Sequence, residues 1–87
     1  MDASMSTWRE HPFVVGKAYE ARQTFEGFPL SEFTTGCSYT LKLVGYSTHD
    51  SATVFTFGCE ADERPVYWWW YDSDPDSLCV ERFRVGA

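Results

Sequence analysis

Three consecutive tryptophans stand between two tyrosines in Pro65-Val66-Tyr67-Trp68-Trp69-Trp70-Tyr71-Asp72, and they limit what this chain can become. Successive side chains of a strand point to opposite faces. Val66, Trp68 and Trp70 therefore share one face, and Tyr67, Trp69 and Tyr71 share the other. A domain of 87 residues built as two layers or a small barrel can bury only one of these rows. The Val66 row is assigned to the core. The other row carries two hydroxyls that tolerate water, so Tyr67, Trp69 and Tyr71 are expected to face outward. The competing reading is that Trp8, Phe28 or Phe33 covers this row from the N-terminal segment or the 26–36 loop.

The aromatic content of 18% suits a small domain, because each ring buries much apolar area. The length fits one domain, with residues 1–12 as a flexible N-terminal segment and 13–87 as the folded body. The formal charge is −6. That balance disfavours nucleic-acid backbones and anionic membranes, which need clustered Lys and Arg. The acidity flanks the tryptophans: Glu60, Asp62 and Glu63 precede them, and Asp72, Asp74 and Asp76 follow, against Arg64 alone. Cys37, Cys59 and Cys79 are odd in number and lack Cys-x-x-Cys spacing, which predicts reduced thiols in a cytoplasmic protein. No secretory signal core and no apolar run of membrane-spanning length is present.

Taken in order, Lys17–Phe25 reads as a strand with Tyr19, Ala21 and Phe25 inward, although its composition also allows a helix ending near Gly27. Residues 26–36 form a long loop whose Phe28, Leu30 and Phe33 fold back onto the body. Tyr39, Leu41 and Leu43 alternate with polar residues as a half-buried strand. A turn at Ser47–Ser51 leads to a strand with Thr53, Phe55, Phe57 and Cys59 on one side. Residues 60–64 are an acidic loop, and Pro65 opens the aromatic strand, where a missing N–H is tolerated. Asp72–Ser77 forms a connection with one short 3₁₀ turn, and Val80–Val85 the last strand. No internal repeat is expected.

This order resembles an SH3-like small barrel. Phe33-Thr34-Thr35-Gly36-Cys37-Ser38-Tyr39-Thr40-Leu41 is similar to the loop-end pattern of that architecture. Together with Gly16-Lys17-Ala18-Tyr19, the Asp50 hairpin and the terminal aromatic strand, it also resembles a family of small bacterial domains of unknown function. The resemblance implies an all-β, five-stranded SH3-like barrel over about residues 13–85. The Tyr-rich first strand and the Pro–Tyr pair of proline-peptide binders are absent, and the Trp run lies one strand later than their Trp pair. Proline-peptide binding is therefore not carried over.

Each chemical motif is weighed against its plain structural meaning. Asp72-Ser73-Asp74-Pro75-Asp76 begins like a calcium loop, but Ser77 stands where Gly is needed and Phe83 where a bidentate Glu belongs, so no metal site is expected. Cys37, His49 and Asp50 are the residue types of a thiol triad without its local motif, and no two cysteines have chelating spacing. Neither catalytic residues nor a cofactor are expected. The expectation is a non-enzymatic interaction module. Its partner-binding residues would be Tyr67, Trp69 and Tyr71, with Glu63, Asp72 and Asp74 framing them for a basic protein or peptide, or for a second copy in a homodimer. The alternative is an acidic immunity- or inhibitor-type protein that neutralises a basic enzyme.

Overall fold

Period-two alternation governs most of the chain and produces a mostly β domain. The computed structural model describes residues 10–27, 31–59 and 62–85, save the side chains of 62 and 63. Its strands are β1 (Ala18–Ala21), β2 (Phe25–Glu26), β3 (Glu32–Phe33), β4 (Ser38–Ser47), β5 (Ala52–Cys59) and β6 (Asp62–Tyr71). Helix α1 (Leu78–Arg82) and strand β7 (Phe83–Arg84) follow. Five strands form one antiparallel sheet in the order β6-β5-β4-β1-β7, while β2 and β3 pair as a separate hairpin. No helix among the described residues is long and apolar enough to cross a membrane.

The expected five-stranded barrel is not closed. Among the described residues the sheet ends at β6 on one side and β7 on the other. The β6 edge is occupied without a further strand. The Tyr67 N–H donates to Ser31 Oγ at 3.0 Å, and the Tyr71 N–H donates to Asp74 Oδ2 at 3.1 Å. Side chains thus satisfy edge groups that a neighbouring strand would otherwise take.

The ambiguous segment 17–26 is not helical, nor is it one strand: a bend at residues 22–23 divides it into β1 and β2, which belong to different sheets. Tyr19, Ala21 and Phe25 are buried, and Arg22 and Thr24 are exposed. The 26–36 loop contains the β2–β3 hairpin, where Phe25 and Phe33 are register partners with rings stacked at 4.7 Å. Phe28 and Leu30 lie outside the described residues.

The core is largely aromatic. Phe57 stacks on Phe83 at 5.0 Å and Phe55 on Trp68 at 5.4 Å. Phe13 lies among them, meeting Tyr19, Phe55 and Phe83 edge-on at 5.0–5.4 Å. Edge-to-face contact is a favoured aromatic geometry and adds to the area term.

Contrary to expectation, a short repeat leads the chain into this core at two points. Phe13-Val14-Val15-Gly16-Lys17-Ala18-Tyr19 and Phe33-Thr34-Thr35-Gly36-Cys37-Ser38-Tyr39 share Phe-x-x-Gly-x-x-Tyr. In each, the backbone turns on the glycine, with φ +98° at Gly16 and +89° at Gly36. Lys17 N–H donates to Val14 O at 3.1 Å, and Cys37 N–H to Thr34 O at 3.1 Å. This is the pattern of a type II turn, which needs positive φ at its third residue. The tyrosine hydroxyl then accepts from the first turn residue: Val14 N–H to Tyr19 at 2.7 Å, Thr34 N–H to Tyr39 at 2.8 Å. Tyr19 and Tyr39 are themselves register partners across β1 and β4.

Three further expectations are corrected. Leu43 does not follow Tyr39 and Leu41 inward; it is 62% exposed. A bulge between Leu41 and Leu43 inserts Lys42 and reverses the side-chain parity, so Val44 packs on the core instead. β6 begins at Asp62 rather than Pro65, with a register irregularity opposite Gly58 and Cys59. Pro65 is tolerated because β6 is an edge strand. In place of a 3₁₀ turn and a strand over Val80–Val85, residues 78–82 form α1, and the last strand is only Phe83–Arg84. The Glu81 N–H donates to Ser77 O at 3.0 Å, closing one α-helical turn.

Candidate functional site

The two rows of β6 separate as alternation requires. Trp68 and Trp70 are 2% and 0% exposed. Val66 is half-buried and packs against the same core. Tyr67 and Trp69 are half-buried, and Tyr71 is 41% exposed. The Trp69 and Tyr71 rings lie 6.5 Å apart on the outer row.

The connection after β6 is folded back onto its own strand. Trp70 Nε1–H donates to Pro75 O at 3.2 Å, so a core tryptophan anchors the turn. Asp74 N–H donates to Tyr71 O at 2.8 Å, while the Asp74 carboxylate accepts the Tyr71 N–H. Both backbone groups of Tyr71 are thereby held by one residue. Asp72 closes the end of the sheet: its N–H donates to Ser51 O at 2.9 Å, and its carboxylate accepts the Tyr46 hydroxyl at 2.6 Å. That hydrogen bond to a carboxylate raises the Tyr46 pKa above its ordinary value.

On the opposite flank, the end of β2 is pressed against β6. A Cβ on Gly27 would collide with the Tyr67 carbonyl and also crowd the Phe33 ring at 3.1 Å. Only glycine lets the hairpin backbone approach this closely.

Between these flanks runs a groove of about 280 Å³. The β2 end contributes Glu26 and Gly27, and β6 contributes Trp68, Trp69 and Tyr71. Asp74, Leu78 and Arg82 come from the turn and α1. The Arg82 guanidinium lies over the Phe25 ring at 4.4 Å and reaches the Trp68 ring at 5.7 Å. Cation–π contact of this kind holds the guanidinium against these rings.

The structure thus brings together Trp69, Tyr71 and Asp74 of the six expected partner-binding residues. Tyr67 and Asp72 stand beside the groove and do not line it. Glu63 lies in β6, with its side chain outside the described residues. Glu26, Leu78 and Arg82 were missed. No periodic signal marks them: Leu78 and Arg82 are four residues apart, a spacing that shares a face in a strand as well as in a helix.

The other candidates do not converge. Cys37 is exposed, Cys59 half-buried and Cys79 buried, all as thiols. His49 sits exposed in the β4–β5 turn. No group of three metal-ligating side chains clusters among the described residues. His11 packs edge-on against Phe55 at 5.0 Å, and burial lowers its pKa below 6.5. No family model, no curated protein and no solved structure matches the chain.

Proposed function

We propose that the domain is a non-enzymatic protein- or peptide-interaction module whose groove along the β6 edge receives a basic side chain of its partner. The observation that carries this reading is the convergence of the Trp69–Tyr71 pair with Glu26 and Asp74 on one groove, where two acids outnumber the single cation Arg82. An aromatic surface next to carboxylates favours a cation twice, through the ring faces and through charge. The domain is proposed to be an open relative of the SH3-like architecture. Support comes from its strand order and from the long hairpin-bearing connection between β1 and β4.

The test compares the two rows of one strand. Arg-containing peptides are titrated against wild-type protein, Trp69→Ala and Trp68→Ala, at low and high ionic strength. Trp69→Ala is expected to weaken binding about tenfold or more. Its stability should change far less than that of Trp68→Ala, which is expected to lose about 3–5 kcal/mol. Binding unaffected by Trp69→Ala but abolished by salt would instead favour the acidic neutraliser, whose capture of a basic enzyme is driven by charge. Sedimentation at rising concentration decides whether the same row serves a homodimer.

A further inference from the structure

Strand β7 takes β1 along one edge, and no strand among the described residues takes the other. Hydrogen-bond parity shows what that second edge offers. Arg22 N–H donates to Arg82 O at 2.7 Å, and Arg84 stands opposite Glu20, so Arg82 and Arg84 address β1. Phe83, between them, addresses the other side. Its register partner Ala21 gives both backbone groups to Gly36 and Cys37, and Phe83 N–H goes to Cys79 O of α1. The Phe83 carbonyl, and the Val85 N–H beyond it, point the same way and have no backbone partner among the described residues.

A groove of about 510 Å³ lies here, lined by Arg22, Val80, Arg84 and Val85. Arg84 and Val85 are successive residues, whose side chains take opposite faces of an extended chain. A groove that both line therefore follows the edge of β7. Its charged lining is basic, in a chain whose formal charge is −6. Arg22 is steadied by Nη1–H donating to Val80 O at 2.7 Å, and Arg84 by Glu20, 3.4 Å from its Nε. Neither guanidinium has another polar partner among the described residues. Of the nearby acids, Glu20 is engaged with Arg84, and Glu81 of α1 does not line the groove.

These features together select an occupant. Two arginines in an acidic chain are too few to hold a nucleic-acid backbone. A second copy, pairing edge to edge about a twofold axis, would set Arg84 opposite Arg84, and like charges directly opposite are destabilising. A bare inorganic anion would leave Val80, 42% exposed, uncovered. An acidic peptide meets every group: a carboxylate fits the planar guanidinium fork, apolar neighbours cover the valines, and the main chain answers the edge.

We propose that the β7 edge receives an extended acidic segment of a protein partner, whose main chain adds to the sheet and whose carboxylate is taken by Arg84 and Arg22. The site is separate from the cation-receiving groove on β6, and no described residue lines both.

The probes are acetyl-Thr-Val-Glu-Val-Thr-amide and the same peptide with Gln in place of Glu. Binding to the full chain is read from the amide chemical shifts of Phe83, Arg84 and Val85. The Glu peptide is expected to bind about tenfold more tightly at low salt, the gain of a hydrogen bond to a charged group. That ratio should shrink at high salt. In the complex, hydrogen exchange at the Val85 amide should slow as its N–H gains an acceptor. Arg84→Gln removes an exposed charge, and should bring the ratio towards one with little change in melting temperature. Equal affinity of the two peptides for the wild type overturns the proposal, as does a tenfold ratio that survives in Arg84→Gln. Unchanged Val85 exchange in the saturated complex overturns strand addition. Inorganic phosphate that displaces the Glu peptide at equal concentration reduces the site to one for bare anions and overturns the partner. A dimer in sedimentation that the Glu peptide dissociates makes a second copy the occupant instead.

Discussion

Residues 13–19 and 33–39 have the same seven-residue pattern and the same turn, yet they are held in different ways. In both, the phenylalanine is buried, the glycine takes positive φ, and the tyrosine hydroxyl accepts from the turn. The two variable positions diverge. Val14 and Val15 are 53% and 57% exposed. Thr34 and Thr35 are exposed too, but Thr35 is tied to the residue before β2, its N–H donating to Thr24 Oγ1 at 3.0 Å and its hydroxyl lying 3.2 Å from that of Thr24. The glycine amides also find different acceptors, Leu41 O for Gly16 and Ala21 O for Gly36. Phe, Gly and Tyr therefore specify the local shape, and the intervening residues record what stands beside it. Both copies make a reciprocal backbone pair, Gly16 and Lys17 with Leu41, Gly36 and Cys37 with Ala21, and the second adds the Thr35–Thr24 contact.

Substitutions at matched positions should reveal that asymmetry. The largest effects belong to the phenylalanines. Phe33→Ala and Phe13→Ala should each cost about 3–5 kcal/mol in denaturant unfolding, with Phe33 at the upper end. Phe33 is fully buried against Phe25, Tyr39, Phe57 and Phe83, whereas Phe13 keeps 4% exposure. A larger loss at Phe13 would reverse the ranking of the two copies.

Next come the glycines. Among the described residues, apart from the chain neighbours, no atom lies within 4 Å of a Cβ built on Gly16 or Gly36, so backbone strain is what opposes a side chain there. Gly16→Ala and Gly36→Ala should both cost about 1–2 kcal/mol, and by similar amounts. Thermal unfolding that separates them widely would mean that the two turns are not equivalent.

The tyrosines give the smallest effect and a pH signature. Burial raises the Tyr39 pKa above 10.0, because the phenolate is harder to accommodate in the fold than in the unfolded chain. A raised folded pKa adds stability that is complete below pH 10 and is lost as the pH climbs through the folded value. Wild-type protein should therefore lose more stability between pH 9 and pH 11 than Tyr39→Phe, as followed by denaturant midpoints. Parallel curves for the two proteins would refute this contribution. At neutral pH, Tyr39→Phe should cost about 1 kcal/mol by leaving the Thr34 amide without its acceptor.

What the sequence made legible is what a period of two can carry. The assignment of Trp68 and Trp70 to the core and of Trp69 and Tyr71 to the outer row needed only strand parity. The same logic failed at Leu43, since one inserted residue reverses parity and nothing in Leu41-Lys42-Leu43 marks the insertion. It failed again at Val80–Arg82, where one helical turn is too short to show a period. The Phe-x-x-Gly-x-x-Tyr repeat was fully visible but spans only seven residues. The groove was half visible: Trp69, Tyr71 and Asp74 are close in sequence, while Glu26 and Arg82 come from segments that meet only after the sheet and hairpin form. The role of Asp74 as the clamp on Tyr71 was equally hidden, because net charge does not show which acid turns back on its strand.

The pairing of β1 with β7 sets the order in which this molecule can assemble. β4, β5 and β6 are neighbours along the chain and can zip together through short connections. Ala21 must wait for Phe83, its register partner near the other end of the sequence. Closing so long a segment is entropically expensive and slows folding relative to local pairing. A nascent chain could therefore hold β1 against the meander through β4 while the outer edge of β1 remained unpaired. Completion would depend on Phe83, which enters both the sheet and the aromatic core in one step.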